Sequence, residues 1–328
     1  MNLLPWKGET ITHPGIYADV PIDAYHGQIC DGPSLSSTGI RRLLKSPAHF
    51  WKFSELNPHR VEEDDKEAFI LGRAAHHLLL GEREFHRHFV VQPATYNDLK
   101  TGESKPWNGN ATVCKEWKKR HSDRTILTAA QIEKIKGMAG LLPWQKGMTN
   151  CGLANTPLVA DAGALSGEIE RSLFWKVGDV WLKSRPDAIP GDSNDFADLK
   201  TISPRSEEGM SDRDLERAVR ENRLFVQGAM VGMGSMAVLG RQMTGFHLIF
   251  VDTGDVHAVA PVTLEDEDII RGERAVFVAI DIFKRCRETG VWPGPTARLA
   301  DARKLPVAGF GREAFDRQLD ILEQDYAK

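Results

Sequence analysis

The sequence predicts an α/β fold in which a mixed central sheet, containing an antiparallel meander, is flanked by helices. Two observations predict it. Apolar residues at helical spacing fill the first part of the chain, and strand-like stretches alternate with helical ones after about residue 167. The 328 residues are 41% hydrophobic, so the chain can bury one large core, and we expect a single domain over 1–328.

The N-terminal segments predict irregular structure followed by a capped helix. Residues 1–33 are rich in Pro and Gly, so we expect few regular elements there. Residues 33–53 read PSLSSTGIRRLLKSPAHFWKF, with apolar residues at helical spacing. Ser36 or Ser37 can cap this helix, and we expect Pro47 to end it.

Two further helices and a polar excursion complete the N-terminal half. Residues 66–85 are apolar on much of a helical circumference, which predicts a largely buried helix. Residues 92–124 are polar and rich in Asn, Gly and Lys, which is typical of a long excursion that can act as a flexible lid. Residues 128–144 predict another helix, with Thr128 as its N-cap.

The pattern then switches to strands. Residues 167–177, 179–189 and 195–201 are strand-like and are joined by a VGD turn and a PGDSN loop, which predicts the antiparallel meander. The remaining predicted elements are a helix over 211–238, strands over 244–254 and 256–262, and a final helix over 264–290 with Gly290 at its C-terminus.

We expect four parts within the domain. Its core spans about 66–290, and a helical N-terminal part over 15–65 leads into it. The excursion at 92–124 interrupts this core. A tail over 291–328 follows, with a short helix near 311–326.

Composition and charge exclude several classes of protein. The formal net charge is −4, so any binding of nucleic acid must depend on local basic patches. Cys30, Cys114, Cys151 and Cys286 are widely spaced and form no CxxC pair, which argues against a zinc knuckle or a disulfide framework and favours buried free thiols. The N-terminal residues lack the long apolar run of a signal peptide, so we expect none, and no run of about 20 apolar residues occurs. We therefore expect a cytoplasmic protein with no membrane partner.

Three charged residues, Asp187, Asp198 and Lys200, are the main candidates for an active site. In a strand, Asp198 and Lys200 point to one face and Leu199 to the other, where it can pack under a helix. Asp187 lies near the end of the preceding strand and can approach Asp198 across the loop. Two close carboxylates repel unless a cation lies between them, and Mg²⁺ prefers carboxylate oxygens. The ammonium can then orient an attacking water or balance charge on a phosphoryl oxygen.

These residues match the PD-(D/E)xK signature of the restriction-endonuclease-like nucleases, including a literal RPD at 185–187. LGRAAH at 71–76 resembles the helical LGxAxH motif of the RecB-like branch, and ERSLFW at 170–175 resembles the acidic strand that opens the RecE meander. GIYADVPIDAYHG at 15–27 resembles the start of the same nuclease domain. The chain therefore resembles, over about 15–290, the nuclease domain of the RecE (exodeoxyribonuclease VIII) family, which phages and prophages typically encode.

The resemblance implies a restriction-endonuclease-like core and a Mg²⁺-dependent DNA exonuclease, in which Mn²⁺ can substitute. It implies metal ligands at His76, Glu170, Asp187, Asp198 and the backbone carbonyl of Leu199. It implies that Lys200 orients the nucleophilic water. Gln227 lies on the helix where this branch carries a glutamine, and the resemblance implies that it holds the lysine or the DNA end. The implied catalytic residues are Asp187, Asp198, Lys200 and Gln227.

The resemblance also implies partners. Members of the family digest duplex DNA ends 5′→3′, leave a 3′ single strand for a single-strand annealing recombinase, and form homo-oligomeric rings around DNA. Such a protein works in the cytoplasm of a bacterial host. One position departs from the family pattern QxxxY: Val231 stands where the tyrosine is expected, which leaves the tyrosine's part in DNA positioning open.

Plainer roles stay open for several of these residues. A histidine on an apolar helix, such as His76 or His77, is commonly a buried structural residue. Glu170 and its neighbour Glu168 can form a solvated strand edge. Gln227 can satisfy a buried carbonyl.

Basic stretches and alternative functions also stay open. Two groups of cations suit phosphate and base contacts or else form solvated faces: Arg41, Arg42 and Lys45, and Lys115, Lys118, Lys119 and Arg120 beside Trp117. An endonuclease or single-strand nuclease of the same fold is one alternative to the exonuclease. A catalytically silent DNA-binding module is another, and the intact Asp, Asp and Lys set argues against it.

Overall fold

The computed structural model describes residues 2–61, 67–79, 85–141, 165, 167–191, 193–206, 209–294 and 316–321. Packing divides the chain into two compact units, Met1–Trp292 and Pro293–Lys328. In the second unit, residues 316–321 form a short helix, inside the range where the sequence predicts one. The elements described below belong to the first unit.

Strands and helices alternate along the described part of the first unit, as the predicted α/β class requires. The strands are β1 (Leu3–Pro5), β2 (Gly15–Ala18), β3 (Ser34–Ser36), β4 (Phe89–Val91), β5 (Thr95–Asn97), β6 (Ser104–Pro106), β7 (Thr125–Leu127), β8 (Glu168–Ile169), β9 (Ser172–Val177), β10 (Val180–Ser184), β11 (Ala188–Ile189), β12 (Asp195–Ile202), β13 (Gly245–Asp252) and β14 (Val259–Thr263). The helices are α1 (Ile22–His26), α2 (Ser37–Lys45), α3 (Pro47–Phe53), α4 (Glu67–Leu79), α5 (Phe85–His88), α6 (Thr112–Arg120), α7 (Ala129–Leu141), α8 (Asp212–Glu221), α9 (Leu224–Leu239) and α10 (Asp266–Thr289).

A five-stranded sheet has the order β1-β2-β9-β10-β3. β9 and β10 form an antiparallel hairpin, and β3 lies parallel to β10. Residues 1–33 are mostly irregular, as expected, although β1 and β2 extend this sheet and α1 follows them. Strands of three or four residues are too short to give the alternating pattern from which strands are predicted.

The predicted three-stranded antiparallel meander is wrong in its last strand. β12 pairs with β13 in parallel, in the sheet β12-β13-β14. The free edge of β10 is already occupied by β3, so β12 cannot add to the hairpin there. Four central residues of β12 are buried in succession, which is typical of a parallel strand covered on both faces.

The helix boundaries follow local capping chemistry. The Ser36 hydroxyl accepts a hydrogen bond from the Gly39 amide at 3.3 Å and caps α2, as predicted. Pro47 does not simply end the helix: α2 stops at Lys45, Ser46 caps α3, and Pro47 is the first residue of α3. Proline is tolerated at that position because the amide it lacks has no partner within the helix.

The predicted helix over 211–238 is two helices, α8 and α9. Arg223 lies between them with a φ of +48°, in the left-handed region, and ends the regular helical path. The polar α8 lies at the surface, whereas α9 is apolar around most of its circumference and is buried. At the end of α10, Gly290 adopts a φ of +69°, as the sequence predicts for the residue that terminates this helix.

Two hydrophobic clusters lie on opposite faces of β12. One contains Phe196 of β12 and packs it with residues of α9, α10 and the five-stranded sheet. The other contains Leu199 and packs it under α4, against Ala74 and Ala75, as predicted from the strand period. β12 is thereby fixed from both faces, and its polar residues are held in one position.

The excursion at 92–124 contains regular structure. β5 and β6 form an antiparallel hairpin, α6 follows, and β4 pairs with β7 in parallel at the base. Its action as a lid stays a prediction.

Thr128 caps α7, as predicted. Its hydroxyl accepts a hydrogen bond from the Gln131 amide at 3.2 Å, and the Gln131 side chain accepts one from the Thr128 amide at 2.8 Å.

Two expectations from composition can be compared with the described residues. Cys30, Cys114 and Cys286 are buried free thiols, as expected, and Cys151 lies outside the described residues. Among the helices described, none is long and apolar enough to cross a membrane.

Candidate active site

Five segments bring the predicted site residues together. The segments and their residues are α4 with His76, the turn after β8 with Glu170, the link between β10 and β11 with Asp187, β12 with Asp198 and Lys200, and α9 with Gln227. Only β12 and the Asp187 link are neighbours in sequence, so the fold itself assembles the rest.

Asp187 is fixed by the backbone on both sides. Pro186 precedes Asp187 in the link after β10, and β11 pairs with β8 so that Ala188 lies opposite Ile169. The carbonyl of Asp187 accepts a hydrogen bond from the Glu170 amide at 3.0 Å, which places these two acidic residues side by side. The side chain is buried, and its Oδ2 accepts from the Leu199 amide at 2.5 Å. This bond ties Asp187 to the site strand β12.

Glu170 has a backbone conformation that is unusual for its residue type. Its φ is +53°, in the left-handed region. Holding a non-glycine residue in this conformation costs about 1–3 kcal/mol, and residues strained in this way cluster at functional sites. Arg185 stabilises this turn: its Nε lies 2.8 Å from Glu170 Oε2 and donates to the Glu170 carbonyl at 3.0 Å. Gly167, just before β8, has a φ of +113°, and a Cβ there would lie 2.1 Å from the Ile189 carbonyl oxygen. This close approach of β8 to β11 therefore requires glycine.

His76, Glu170 and Asp187 form a candidate metal centre. Each offers one ligand atom, and the three atoms lie within 4.8 Å of one another. Nδ1 of His76 lies 3.7 Å from Oδ1 of Asp187. One imidazole and two carboxylates suit a divalent cation such as Mg²⁺ or Mn²⁺.

The electrostatics of this group favour a cation. Burial raises the pKa of Asp187 well above its usual value, and the negative charges of Asp198 and Glu170 raise it further. A divalent cation between these groups relieves the repulsion. Burial and the charge of Lys200 lower the pKa of His76 to about 4, so its ring is neutral at neutral pH and can donate a lone pair.

Asp198 lies beside this group and is held by two side chains. The Gln227 amide donates to Oδ1 of Asp198 at 2.6 Å, and the Lys200 ammonium contacts Oδ2. Oδ2 is buried, and the described residues offer it no hydrogen bond beyond the Lys200 contact. The shared face of Asp198 and Lys200, predicted from the strand period, is therefore realised as a direct ion pair. Gln227 lies against Asp198 rather than against the lysine.

His77, Glu168 and Val231 lie outside the site. The His77 ring packs 5.3 Å from the rings of His88 and Phe89, which leaves His76 as the histidine of the site. Glu168 pairs with Arg171 at 2.8 Å near the surface. Val231 is 1% exposed and belongs to the hydrophobic cluster around α9, so this position contributes packing.

Two arginines near the site make contacts that the sequence did not predict. Arg185 is part of the RPD match, but nothing in the motif indicates its pairing with Glu170. Arg41 donates to the carbonyl of Asn222 at 2.8 Å and to Oγ1 of Thr38 at 3.1 Å, at the break between α8 and α9. Burial lowers the pKa of Arg41, and the negative charge of Asp198 partly offsets this. A basic residue on a capped helix carries no signal of such a contact in the sequence.

Comparisons with known proteins agree with this architecture. A model of the PDDEXK-like domain of unknown function (DUF3799) matches residues 36–304. The solved structure of a protein from Eubacterium rectale, named "Putative exonuclease", superposes with a TM-score of 0.55 at 11% identity and covers 90% of this chain and 99% of its own. A comparison with curated proteins found no match.

The likeness to the solved structure shows a shared fold, and the family match covers most of the chain. Together they confirm the predicted α/β class with a PDDEXK-like nuclease core, and they support a nuclease. The more specific resemblance to RecE stays a prediction. The chain belongs to the family of PDDEXK-like domains of unknown function (DUF3799).

Proposed function

We propose that this protein is a Mg²⁺-dependent DNA exonuclease that hydrolyses phosphodiester bonds from duplex ends. The observation that carries the proposal is the cluster of His76, Glu170 and Asp187 around one point, with the Asp198–Lys200 pair beside it. A group of buried carboxylates next to an ammonium is unfavourable for stability alone. It suits a cation and a phosphate that undergoes attack by water.

In this proposal, His76, Glu170 and Asp187 hold the cation, and Asp198 and the carbonyl of Leu199 complete its surroundings. When bound, a divalent cation supplies Lewis acidity: it polarises the scissile phosphoryl oxygen and lowers the pKa of a bound water. Lys200 orients the attacking water. The water oxygen forms the new bond to phosphorus as the bond to the leaving oxygen breaks; the water gives up one proton to solvent, and the leaving oxygen takes up one. Gln227 keeps Asp198 in place by its hydrogen bond to Oδ1.

The finer parts of the proposal rest on the resemblance to RecE. They are digestion in the 5′→3′ direction, a 3′ single-stranded product for an annealing recombinase, a homo-oligomeric ring, and a bacterial cytoplasm as the place of action. The fold shared with a protein that is named as an exonuclease supports action at ends. Mn²⁺ is expected to substitute for Mg²⁺, because imidazole and carboxylate together suit it.

The test is digestion of two DNA substrates, an end-labelled linear duplex and a covalently closed circle, in Mg²⁺ and in a chelator. We expect loss of the linear duplex in Mg²⁺ only, an intact circle, and no digestion by Asp198→Ala. Asp195→Ala is the matched control, because Asp195 begins the same strand but is exposed, and within the described residues its side chain accepts a hydrogen bond only from Thr244.

Three outcomes contradict the proposal in different ways. Cleavage of the circle indicates an endonuclease, and digestion restricted to single strands indicates a single-strand nuclease. Absence of digestion in a folded protein that also shows no heat of Mg²⁺ or Mn²⁺ binding in calorimetry indicates a catalytically silent module.

A further inference from the structure

The excursion between α5 and α7 forms a small lobe of residues 89–127, which we call the inserted lobe. Its base is joined to the site. Phe89 of β4 and Leu127 of β7 share a hydrophobic cluster with Ala75 of α4 and Leu199 of β12. The helix that carries His76 therefore presents one side to the metal centre and packs against the lobe with another.

The inserted lobe differs in charge from the rest of the chain. Residues 92–124 contain seven Lys and Arg against four Asp and Glu, whereas the whole chain has a net charge of −4. The positive charge is concentrated on α6, whose sequence is TVCKEWKKR. A local basic surface on an acidic protein is the arrangement that nucleic-acid binding requires here.

Helix α6 is anchored on one side and exposed on another. Cys114 is completely buried, and Trp117 packs against Trp107 at 5.3 Å and against His121 at 4.2 Å. Lys115 and Lys119 are exposed one turn apart, with Lys118 beside them. We call Lys115, Lys118 and Lys119 the lysine stripe.

The lysine stripe has no anionic partner within the described part of the chain. Other cations of the same lobe do: Lys105 pairs with Asp98 at 2.8 Å, and Arg124 lies 3.7 Å from Asp123. Like charges at this helical spacing cost about 0.2–0.5 kcal/mol per pair. Repulsion within the lysine stripe therefore slightly destabilises the folded chain. A bound ligand with a row of negative charges would relieve this repulsion.

We infer that the lysine stripe of the inserted lobe binds the phosphate backbone of the DNA duplex whose end occupies the metal centre. This inference rests on the proposed function. Exposed ammonium groups on a rigid helix neutralise successive phosphates without reading bases. The two tryptophans of the lobe are packed against each other, and Trp117 also packs against His121, which favours backbone contact over base stacking.

The test measures binding of duplex DNA by fluorescence anisotropy in a chelator, so that no digestion occurs. The variant is Lys115→Gln/Lys119→Gln. The matched control is Arg274→Gln/Arg285→Gln, which removes the same charge from two exposed positions of α10. We expect the Kd of the lysine variant to rise about tenfold and the slope of log K against log salt to fall by about 2. In Mg²⁺, KM should rise while kcat stays unchanged.

The outcomes separate this inference from the proposed function. If the protein digests DNA and the lysine variant has the Kd and salt slope of the wild type, the inference about the lysine stripe is wrong and the proposed function stands. Equal losses in the lysine variant and the α10 control show a general charge effect and also overturn it. A wild-type protein that neither binds nor digests duplex DNA overturns the proposed function together with the inference.

Discussion

Arg185 holds Glu170 in a strained conformation through two contacts, one to the carboxylate and one to the carbonyl. It also donates to the Val20 carbonyl at 3.1 Å, which connects the site to the segment between β2 and α1. Because its guanidinium is planar and has five donors, it makes these contacts at once, whereas a lysine ammonium cannot reproduce their geometry. Arg185 is therefore a positioning residue for the candidate metal centre.

We expect Arg185→Lys to weaken binding of Mn²⁺ or Mg²⁺ by about 10–100-fold, the usual effect of losing a partner that orients a metal ligand. Calorimetric titration of metal into the purified protein measures this. Arg171→Lys is the control, since Arg171 pairs with Glu168 outside the centre. Equal metal affinity in the two variants would show that Arg185 does not position Glu170.

Lys183 on β10 is a lysine whose ammonium group is buried. It is 2% exposed, its ammonium donates to the Gly27 carbonyl at 2.5 Å, and it lies 5.5 Å from the Tyr25 ring. Burial lowers its pKa to about 8 from the usual 10.5. Between these two pH values the unfolded chain binds more protons at this lysine than the folded chain does. The contribution of Lys183 to stability therefore rises as the pH increases from about 8 to 10.5, and it is constant below that range.

We expect Lys183→Met to remove this pH dependence. As the pH rises from about 8 to 10.5, the unfolding free energy of the wild type should increase by about 3 kcal/mol relative to that of the variant. Each pKa unit corresponds to about 1.4 kcal/mol. Denaturant unfolding at a series of pH values measures it, with the exposed Lys134→Met as control. A difference that stays constant with pH would contradict the account.

At the scale of elements, β12 was predictable and its pairing was not. The alternation of Asp198, Leu199 and Lys200 gives the two faces directly from the sequence. The parallel partner β13 follows more than 40 residues later. Its choice depends on β3 occupying the edge of β10, and no local pattern carries that information.

The break between α8 and α9 shows the same limit. The residues of 211–238 have a continuous helical pattern, and the left-handed conformation of Arg223 interrupts it. The break is stabilised by tertiary contacts, including the bond from Arg41 to the Asn222 carbonyl. A hydrophobic period indicates that a helix exists, but it does not show where distant contacts divide it.

Helix α10 packs closely against α9 at a glycine. A Cβ at Gly272 would lie 2.5 Å from the Phe225 carbonyl oxygen and 2.8 Å from the Ala229 Cβ. The Phe225 oxygen belongs to the backbone of α9, so this contact can relax only if the helices move apart. α9 carries Gln227, whose side chain donates a hydrogen bond to Asp198. The packing of α9 against α10 therefore also fixes the position of this hydrogen-bond donor.

We expect Gly272→Ala to destabilise the protein by about 1–3 kcal/mol, because overpacking outweighs the gain of roughly 1 kcal/mol from better helix propensity. Urea unfolding measures it. Gly232→Ala on α9 is the control, since its nearest neighbour there is the flexible end of Met243 at 3.1 Å. A stabilised Gly272→Ala protein would show that the helices do not pack as described.

At the scale of the whole molecule, two hydrophobic clusters enclose β12, the strand that carries Asp198 and Lys200, from opposite faces. The sequence could predict the α/β class, the site strand and the residues that converge on it, since these depend on local period and on a recognisable motif. It could not predict the N-terminal strands, which are too short, or the contacts of Arg185 and Arg41, which join distant segments. The net charge of −4 likewise conceals the local excess of positive charge on the inserted lobe.

The central claim is that Asp198 and Lys200 perform hydrolysis beside a metal held by His76, Glu170 and Asp187. The most direct measurement follows Mg²⁺-dependent release of label from a linear duplex by Lys200→Ala, with metal affinity determined calorimetrically on the same sample. We expect Lys200→Ala to bind the metal and to fold like the wild type but to release no label. Wild-type release of label by Lys200→Ala would contradict it.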